Sequence, residues 1–169
     1  MVSTDKSDIF LSVIENHKGI INKIANYYSK SKEDKKDLIQ EIVLQLWKSF
    51  DNYNEQFKYS TWIYKVSLNV ALAFSRKENN RTRVFNPLKE EIISVSTIDE
   101  SDEQETNFNY LQQFVLELKE LDRAIILLYF DEKTQKEIAE IVGITETNIS
   151  TRIGRIKTNL RQKFSQIPQ

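Results

Sequence analysis

The sequence predicts an all-α protein built as two small helical domains joined by an acidic, flexible linker. Three observations carry this expectation. Apolar residues recur at spacings of three and four over long stretches, while the alternation of a strand is nearly absent. The two prolines, Pro87 and Pro168, flank long proline-free segments. Residues 87–105 hold seven acidic side chains and one basic one, Lys89, which is the composition of a solvated tether. The expected boundaries are 1–84 for the first domain, 85–106 for the linker and 107–169 for the second domain.

The first helix is expected at about 8–29. Its apolar positions are Ile9, Phe10, Val13, Ile14, Ile20, Ile21, Ile24 and Tyr28. After the polar break KSKEDKKD, a second helix is expected at about 33–49. Leu38, Ile39, Ile42, Val43, Leu46, Trp47 and Phe50 fall within half of its circumference. The opposite face carries Asp37, Gln40, Glu41, Leu44 and Lys48. A leucine on such a face is either an ordinary surface residue or part of a partner surface. The loop DNYNEQFKYS leads to a third helix at about 61–79, with Thr61 or Ser60 as its cap. Beyond the linker, where IISVSTI could make a brief ordered contact, helices are expected at about 107–120, 122–131, 134–142 and 145–164.

Composition excludes much chemistry. The chain has 169 residues, 24 basic against 25 acidic, for a net charge of −1. It has no cysteine, so disulfides, thiolate metal sites and cysteine nucleophiles are out. The single histidine, His17, rules out a two-histidine zinc motif. Gly19, Gly143 and Gly154 are too scattered for a phosphate-cradling loop. No metal, cofactor or catalytic residue is expected. From the N-terminal MVSTDKSDIF no secretory signal is expected. No segment approaches the ~18 apolar residues of a spanning helix. The expectation is a cytoplasmic protein without membrane insertion.

The segment KTQKEIAEIVGITETNISTRIGRIKTNLRQKF has the arithmetic of a helix-turn-helix. Thr134 caps a short helix with Ile138, Ala139 and Val142 as its core positions. Gly143 ends it where a left-handed residue is needed, and Ile144 plugs the turn. Thr145 or Thr147 caps the next helix, which buries Ile149, Ile153 and Ile156. Its other face shows Asn148, Ser150, Thr151, Arg152, Arg155 and Lys157, donors suited to phosphates and base edges. Residues 150–164 hold five basic side chains and no acidic one.

The first domain has a second signal. From Phe57 to Asn86 there are six basic residues and one acidic, Glu78, and Phe57, Tyr59, Trp62 and Tyr64 crowd together just after Tyr53. Cations interleaved with aromatic rings suit single-stranded nucleic acid, where charge tracks phosphates and rings stack on bases. Each ring taken singly could equally fill the core.

The segments DLIQEIVLQLWKSFDNY, FKYSTWIYKVSLNVALAFSRK and EIAEIVGITETNISTRIGRIKTNLRQKF together resemble bacterial sigma factors of the sigma-70 class, closest to the extracytoplasmic-function group. Order and spacing agree, and the likeness spans most of the chain outside the linker and the first few residues. The resemblance implies a region 2-like domain at 1–84 and a region 4-like domain at 107–169. It implies core RNA polymerase as partner, through the β′ clamp helices and the β subunit, and promoter DNA as the second partner. Asp37, Gln40, Glu41, Leu44 and Lys48 match the surface that docks on the β′ clamp helices. Tyr53, Phe57, Tyr59, Trp62, Lys65, Asn69, Arg76 and Lys77 match the part that melts the −10 element and holds flipped bases of the non-template strand. Arg81 and Arg83 add phosphate contacts nearby. Thr147, Asn148, Ser150, Thr151, Arg152 and Arg155 match the helix that reads the −35 duplex. The acidic linker is similar to one that threads the polymerase channel. Members often have an anti-sigma factor, so such a partner is also expected.

Three positions depart from the family pattern. Gly154 lies in the recognition helix where a bulkier side chain is usual, and it costs ~1 kcal/mol of helix stability relative to Ala. Ser150 stands where Arg or Lys is frequent. Both thin the −35 contacts, which makes recruitment by another DNA-bound partner conceivable. Asp122 replaces a common proline at a helix start, where an acid is equally suited. Two competing functions belong to different classes. One is an autonomous, dimeric helix-turn-helix regulator, which leaves the aromatic loop without a role. The second is an enzyme, for which no catalytic nucleus is visible.

Overall fold

The computed structural model describes residues 5–85 and 103–168. Among the described residues every regular element is helical. The helices are α1 (Lys6–Tyr28), α2 (Lys32–Ser49), α3 (Tyr59–Phe85), α4 (Glu103–Glu117), α5 (Glu120–Phe130), α6 (Gln135–Val142) and α7 (Glu146–Ser165), with a 3-10 turn at Phe50–Asn52. The chain forms two compact units, Met1–Glu78 and Asn79–Gln169.

In the first unit, α1 packs on α2 and buries Phe10, Val13, Ile21, Ile24, Ala25 and Tyr28. The facing stripe of α2 is Leu38, Ile42 and Leu46. Ser31 starts α2 by accepting the Asp34 N–H at 3.1 Å. Glu33 and Asp34 in its first turn and Lys48 in its last complement the helix dipole. From α3 the core receives Ile63, Tyr64, Leu68 and Ala71, with Ser67 buried among them.

The start of α3 differs from the expected cap. The Trp62 N–H bonds the Lys58 carbonyl at 3.2 Å, so the helix begins at Tyr59, and Ser60 and Thr61 lie inside its first turn. Its end also lies beyond 79. No glycine or proline intervenes before Pro87, whose neighbour Asn86 is disfavoured as helix, so α3 runs on to Phe85. The expected linker is likewise shortened at its far end. Helix α4 opens at Glu103, because acids that suit a tether, such as Glu105, also suit the positive end of a helix. The segment IISVSTI lies outside the described residues.

The second unit is built around α5, in which Ala124, Ile125, Ile126, Leu127 and Leu128 are all buried. Val115 of α4, Ile138 and Ile141 of α6, and Ile149, Ile153, Ile156 and Leu160 of α7 close around it. The buried pair of α6 is Ile138 and Ile141. Ala139 and Val142, expected in the core, are half-buried because the helix is turned to point its two isoleucines inward.

Candidate nucleic-acid and partner surfaces

The expected docking face of α2 is assembled by the fold. Asp37, Gln40, Glu41, Leu44 and Lys48 are all exposed, within about 100° of one another at 100° per residue. Leu44 is 52% exposed although α2 buries three other apolar side chains completely. The helix needs Leu38, Ile42 and Leu46 for its own core and leaves Leu44 outside. Trp47 edges this face, with the Lys6 ammonium 4.5 Å from its ring centroid and Phe10 packed edge-on at 5.0 Å.

The loop between α2 and α3 is an ordered aromatic cluster. Tyr53 stacks on Tyr59 with centroids 4.4 Å apart and lies 5.3 Å from Trp62. Trp62 reaches Phe50 at 6.0 Å. The Asn54 side chain accepts the Gln56 N–H at 3.0 Å, and the Phe57 N–H donates to the Asn54 carbonyl at 3.1 Å. This is the local bonding for which asparagine is favoured in turns. The Tyr53 hydroxyl donates to the Phe57 carbonyl. Partial burial, with Tyr59 and Glu55 adding, raises the Tyr53 phenol above its ordinary pKa. Phe57 projects from this turn, 41% exposed, and takes no part in the ring contacts of the described residues. Tyr64 instead belongs to the core, where the Lys23 ammonium bonds its hydroxyl at 3.2 Å.

Along α3, Lys65, Asn69 and Arg76 are exposed and fall within about 40° of one another on the side away from the core. Trp62 begins this line and Arg76 ends it about 21 Å further on, at 1.5 Å per residue. Lys77 is exposed beside them. The side chains of Arg81 and Arg83 lie outside the described residues. The aromatic cluster and the cationic line are therefore consecutive on one element.

The helix-turn-helix is punctuated as its sequence dictates. Thr134 accepts the Glu137 N–H at 3.1 Å while Glu137 accepts the Thr134 N–H at 3.4 Å, a complete capping box. Gly143 has φ 82°, and Thr145 accepts the Asn148 N–H at 3.2 Å. On α7, Thr147, Asn148, Ser150, Thr151 and Arg155 are exposed. Arg152 is not. Its Nη1 donates to Asp122 Oδ1 at 2.8 Å and its Nε to Asn148 Oδ1 at 3.1 Å. Lys157 lies over the Tyr129 ring at 4.4 Å, and Lys163 bonds Glu117. Sequence reasoning placed Asp122 only as a helix-start acid. It does stand in the first turn of α5, but its bond to a residue 30 positions away left no local signal. An ideal Cβ at Gly154 meets nothing within 4 Å, so packing does not require glycine there.

His17 is engaged within its own helix, where its Nδ1 bonds the Val13 carbonyl at 2.8 Å. No group of metal-ligating residues occurs among the described residues. No helix among them is long and apolar enough to cross a membrane.

Comparison with known proteins identifies the family of the two helical units. Residues 13–81 match Sigma-70 region 2 and residues 108–160 match Sigma-70 region 4. The chain is 23% identical to the ECF RNA polymerase sigma factor SigW of Bacillus subtilis (strain 168), over 98% of this chain and 94% of that one. It is 26% identical to the RNA polymerase sigma factor SigV of the same organism, over 94% and 92%. Its fold resembles the sigma factor RpoE crystallised with the anti-sigma factor NepR from Bartonella quintana, with a TM-score of 0.72, 16% identity, and 98% and 99% of the two chains covered. It also resembles CnrH in complex with the cytosolic domain of CnrY, with a TM-score of 0.69, 15% identity, and 98% and 93% covered. With both regions matched in order over well over half its length, the chain belongs to the sigma-70 family of transcription initiation factors, in the extracytoplasmic-function group.

Proposed function

We propose a division of labour among three surfaces of this promoter-directing factor. The outer face of α2, with Asp37, Gln40, Glu41, Leu44 and Lys48, docks on the clamp helices of the polymerase β′ subunit. The 53–62 cluster, with Lys65, Asn69, Arg76 and Lys77, opens the −10 element and holds its non-template strand. The α7 face, with Thr147, Asn148, Ser150, Thr151 and Arg155, reads the −35 duplex. The domains at 1–84 and 107–169 are joined by the acidic linker, which threads the polymerase channel near the RNA exit path, and the β subunit is a further partner. An anti-sigma factor covers these surfaces when the protein is held inactive, as suits a protein that works in the cytoplasm beside the polymerase. Nucleotidyl transfer belongs to the polymerase, and this chain supplies no catalytic group.

The observation that carries the reading is Leu44. A helix that completes its own core with Leu38, Ile42 and Leu46 still presents an apolar side chain amid charges. Exposed apolar surface of that kind gains most when a partner buries it. The test is a separation of functions. Trp62→Ala and Asn69→Ala impair promoter opening and spare polymerase binding, while Glu41→Ala with Leu44→Ala does the reverse. The same defect from both pairs contradicts the assignment of surfaces.

A further inference from the structure

Helix α7 carries five cations between 150 and 164, yet the fold engages three of them. Lys157 sits over Tyr129, and Lys163 bonds Glu117 and lies 5.4 Å from the Phe114 centroid. Arg152 is held most completely, by Asp122 at 2.8 Å and Asn148 at 3.1 Å. The side chains of the Arg152–Asp122 pair are only 30% and 27% exposed. Salt screens a pair shielded in this way less than it screens an open one. Arg152 sits at the edge of the proposed duplex face, about 40° around α7 from Asn148 and about 60° from Arg155, on the flank that faces α5. Arg155 and Arg161 are exposed and have no hydrogen-bond, ion-pair or ring partner among the described residues.

We propose that Asp122 is a positioning residue for promoter recognition: it holds the Arg152 guanidinium against α5, keeping that cation off DNA phosphates and fixing what Asn148 can offer. This inference rests on the reading of α7 as the duplex-contacting helix. The chemistry follows from the donor inventory. An asparagine that pairs bidentately with adenine uses both its amide oxygen and its amide nitrogen. The Asn148 oxygen accepts from Arg152 Nε, which ties the amide to that side chain and leaves its N–H groups for an acceptor such as guanine N7 or O6, thymine O4 or a phosphate. Phosphate contacts carry no sequence information directly. Withholding one therefore lowers affinity for all duplexes alike and leaves more of the discrimination to base contacts.

The experiment uses the full-length chain and a fluorescein-labelled duplex of arbitrary sequence, followed by anisotropy across a salt series. Each phosphate neutralised contributes about −0.9 to the slope of log K against log salt. Asp122→Asn is expected to bind more tightly at low salt and to steepen the slope by about 0.9. Adding Arg152→Gln to Asp122→Asn abolishes that extra slope while keeping any folding defect of the asparagine. Glu146→Gln, which removes an exposed acid from the start of α7 without freeing a cation, is expected to shift affinity without steepening the slope. A slope that stays at the wild-type value in Asp122→Asn, persists in the double variant, or is matched by Glu146→Gln overturns the proposal. Arg155→Ala tests the underlying reading separately. It makes the slope shallower by about 0.9 if α7 meets the duplex, and leaves it unchanged if α7 does not.

Discussion

Phe57 allows the single-strand reading to be tested with little interference from folding. The Asn54–Phe57 turn is held by backbone and side-chain hydrogen bonds, so it presents the Phe57 ring without using it. The ring is 41% exposed and lies outside the Tyr53–Tyr59–Trp62 cluster, so its contribution to stability is limited to its covered part. Phe57→Ala is expected to lower unfolding free energy by only about 1 kcal/mol, for the covered part of the ring. Stacking of one base on an aromatic side chain is worth about 1–3 kcal/mol. A loss of about 2 kcal/mol lowers open-complex formation roughly 30-fold, at a factor of ten per 1.4 kcal/mol. The assay is permanganate reactivity of unpaired thymines at saturating polymerase, on a promoter selected in vitro with the wild-type protein. Phe57→Tyr and Phe57→Trp keep a π-face and are expected to open DNA. Phe57→Leu keeps apolar bulk alone and is expected to fail. Wild-type opening by Phe57→Leu, or a thermal midpoint that falls in step with the opening defect, refutes the stacking argument.

Two predictions concern stability. Ser67 is fully buried in α3, and its hydroxyl has no partner among the described residues. Ser67→Ala removes an unmet desolvation cost and should stabilise the protein by about 1 kcal/mol, read as a higher urea midpoint at unchanged m-value. Glu132 adopts φ 61° just after α5, where the Lys133 N–H bonds the Leu128 carbonyl at 3.1 Å. This is the left-handed helix-ending position that favours glycine. Glu132→Gly should stabilise by about 1 kcal/mol, the lower end of the usual left-handed penalty, and Glu132→Val should destabilise. Equal thermal midpoints for the two variants contradict the strain argument.

The parts of this protein legible in sequence are those specified by neighbours in the chain. Thr134, Gly143 and Thr145 punctuate α6 and α7 through bonds that span three or four residues, so their roles could be read directly. The Leu44 face of α2 followed from helical periodicity alone. The start of α3 was less legible, because Lys58 supplies a backbone carbonyl and the nearby hydroxyl residues mimic a cap. The far end of the linker is not legible, because acids such as Glu105 serve a helix start as readily as a tether. Among the aromatic residues, periodicity could not separate Tyr64, which fills the core, from Phe57, which projects. The Arg152–Asp122 pair joins helices 30 residues apart, and only the packing of α5 against α7 brings it together.

The most direct test of the central claim is an equilibrium binding measurement between the purified chain and core RNA polymerase from a matching source. The comparison is between the wild type and the Glu41→Ala/Leu44→Ala double variant. Both residues are exposed, so the variant should retain the wild-type thermal midpoint. Burying a leucine completely is worth about 1.5–3 kcal/mol. Leu44 has 52% of its surface left to bury, so its truncation alone should cost about 1 kcal/mol, and the Glu41 carboxylate adds to it. The account predicts tight binding by the wild type and at least a fivefold rise in Kd for the folded variant. Equal binding by both proteins contradicts the α2 docking surface, and absence of binding by the folded wild type contradicts the polymerase-directed function itself.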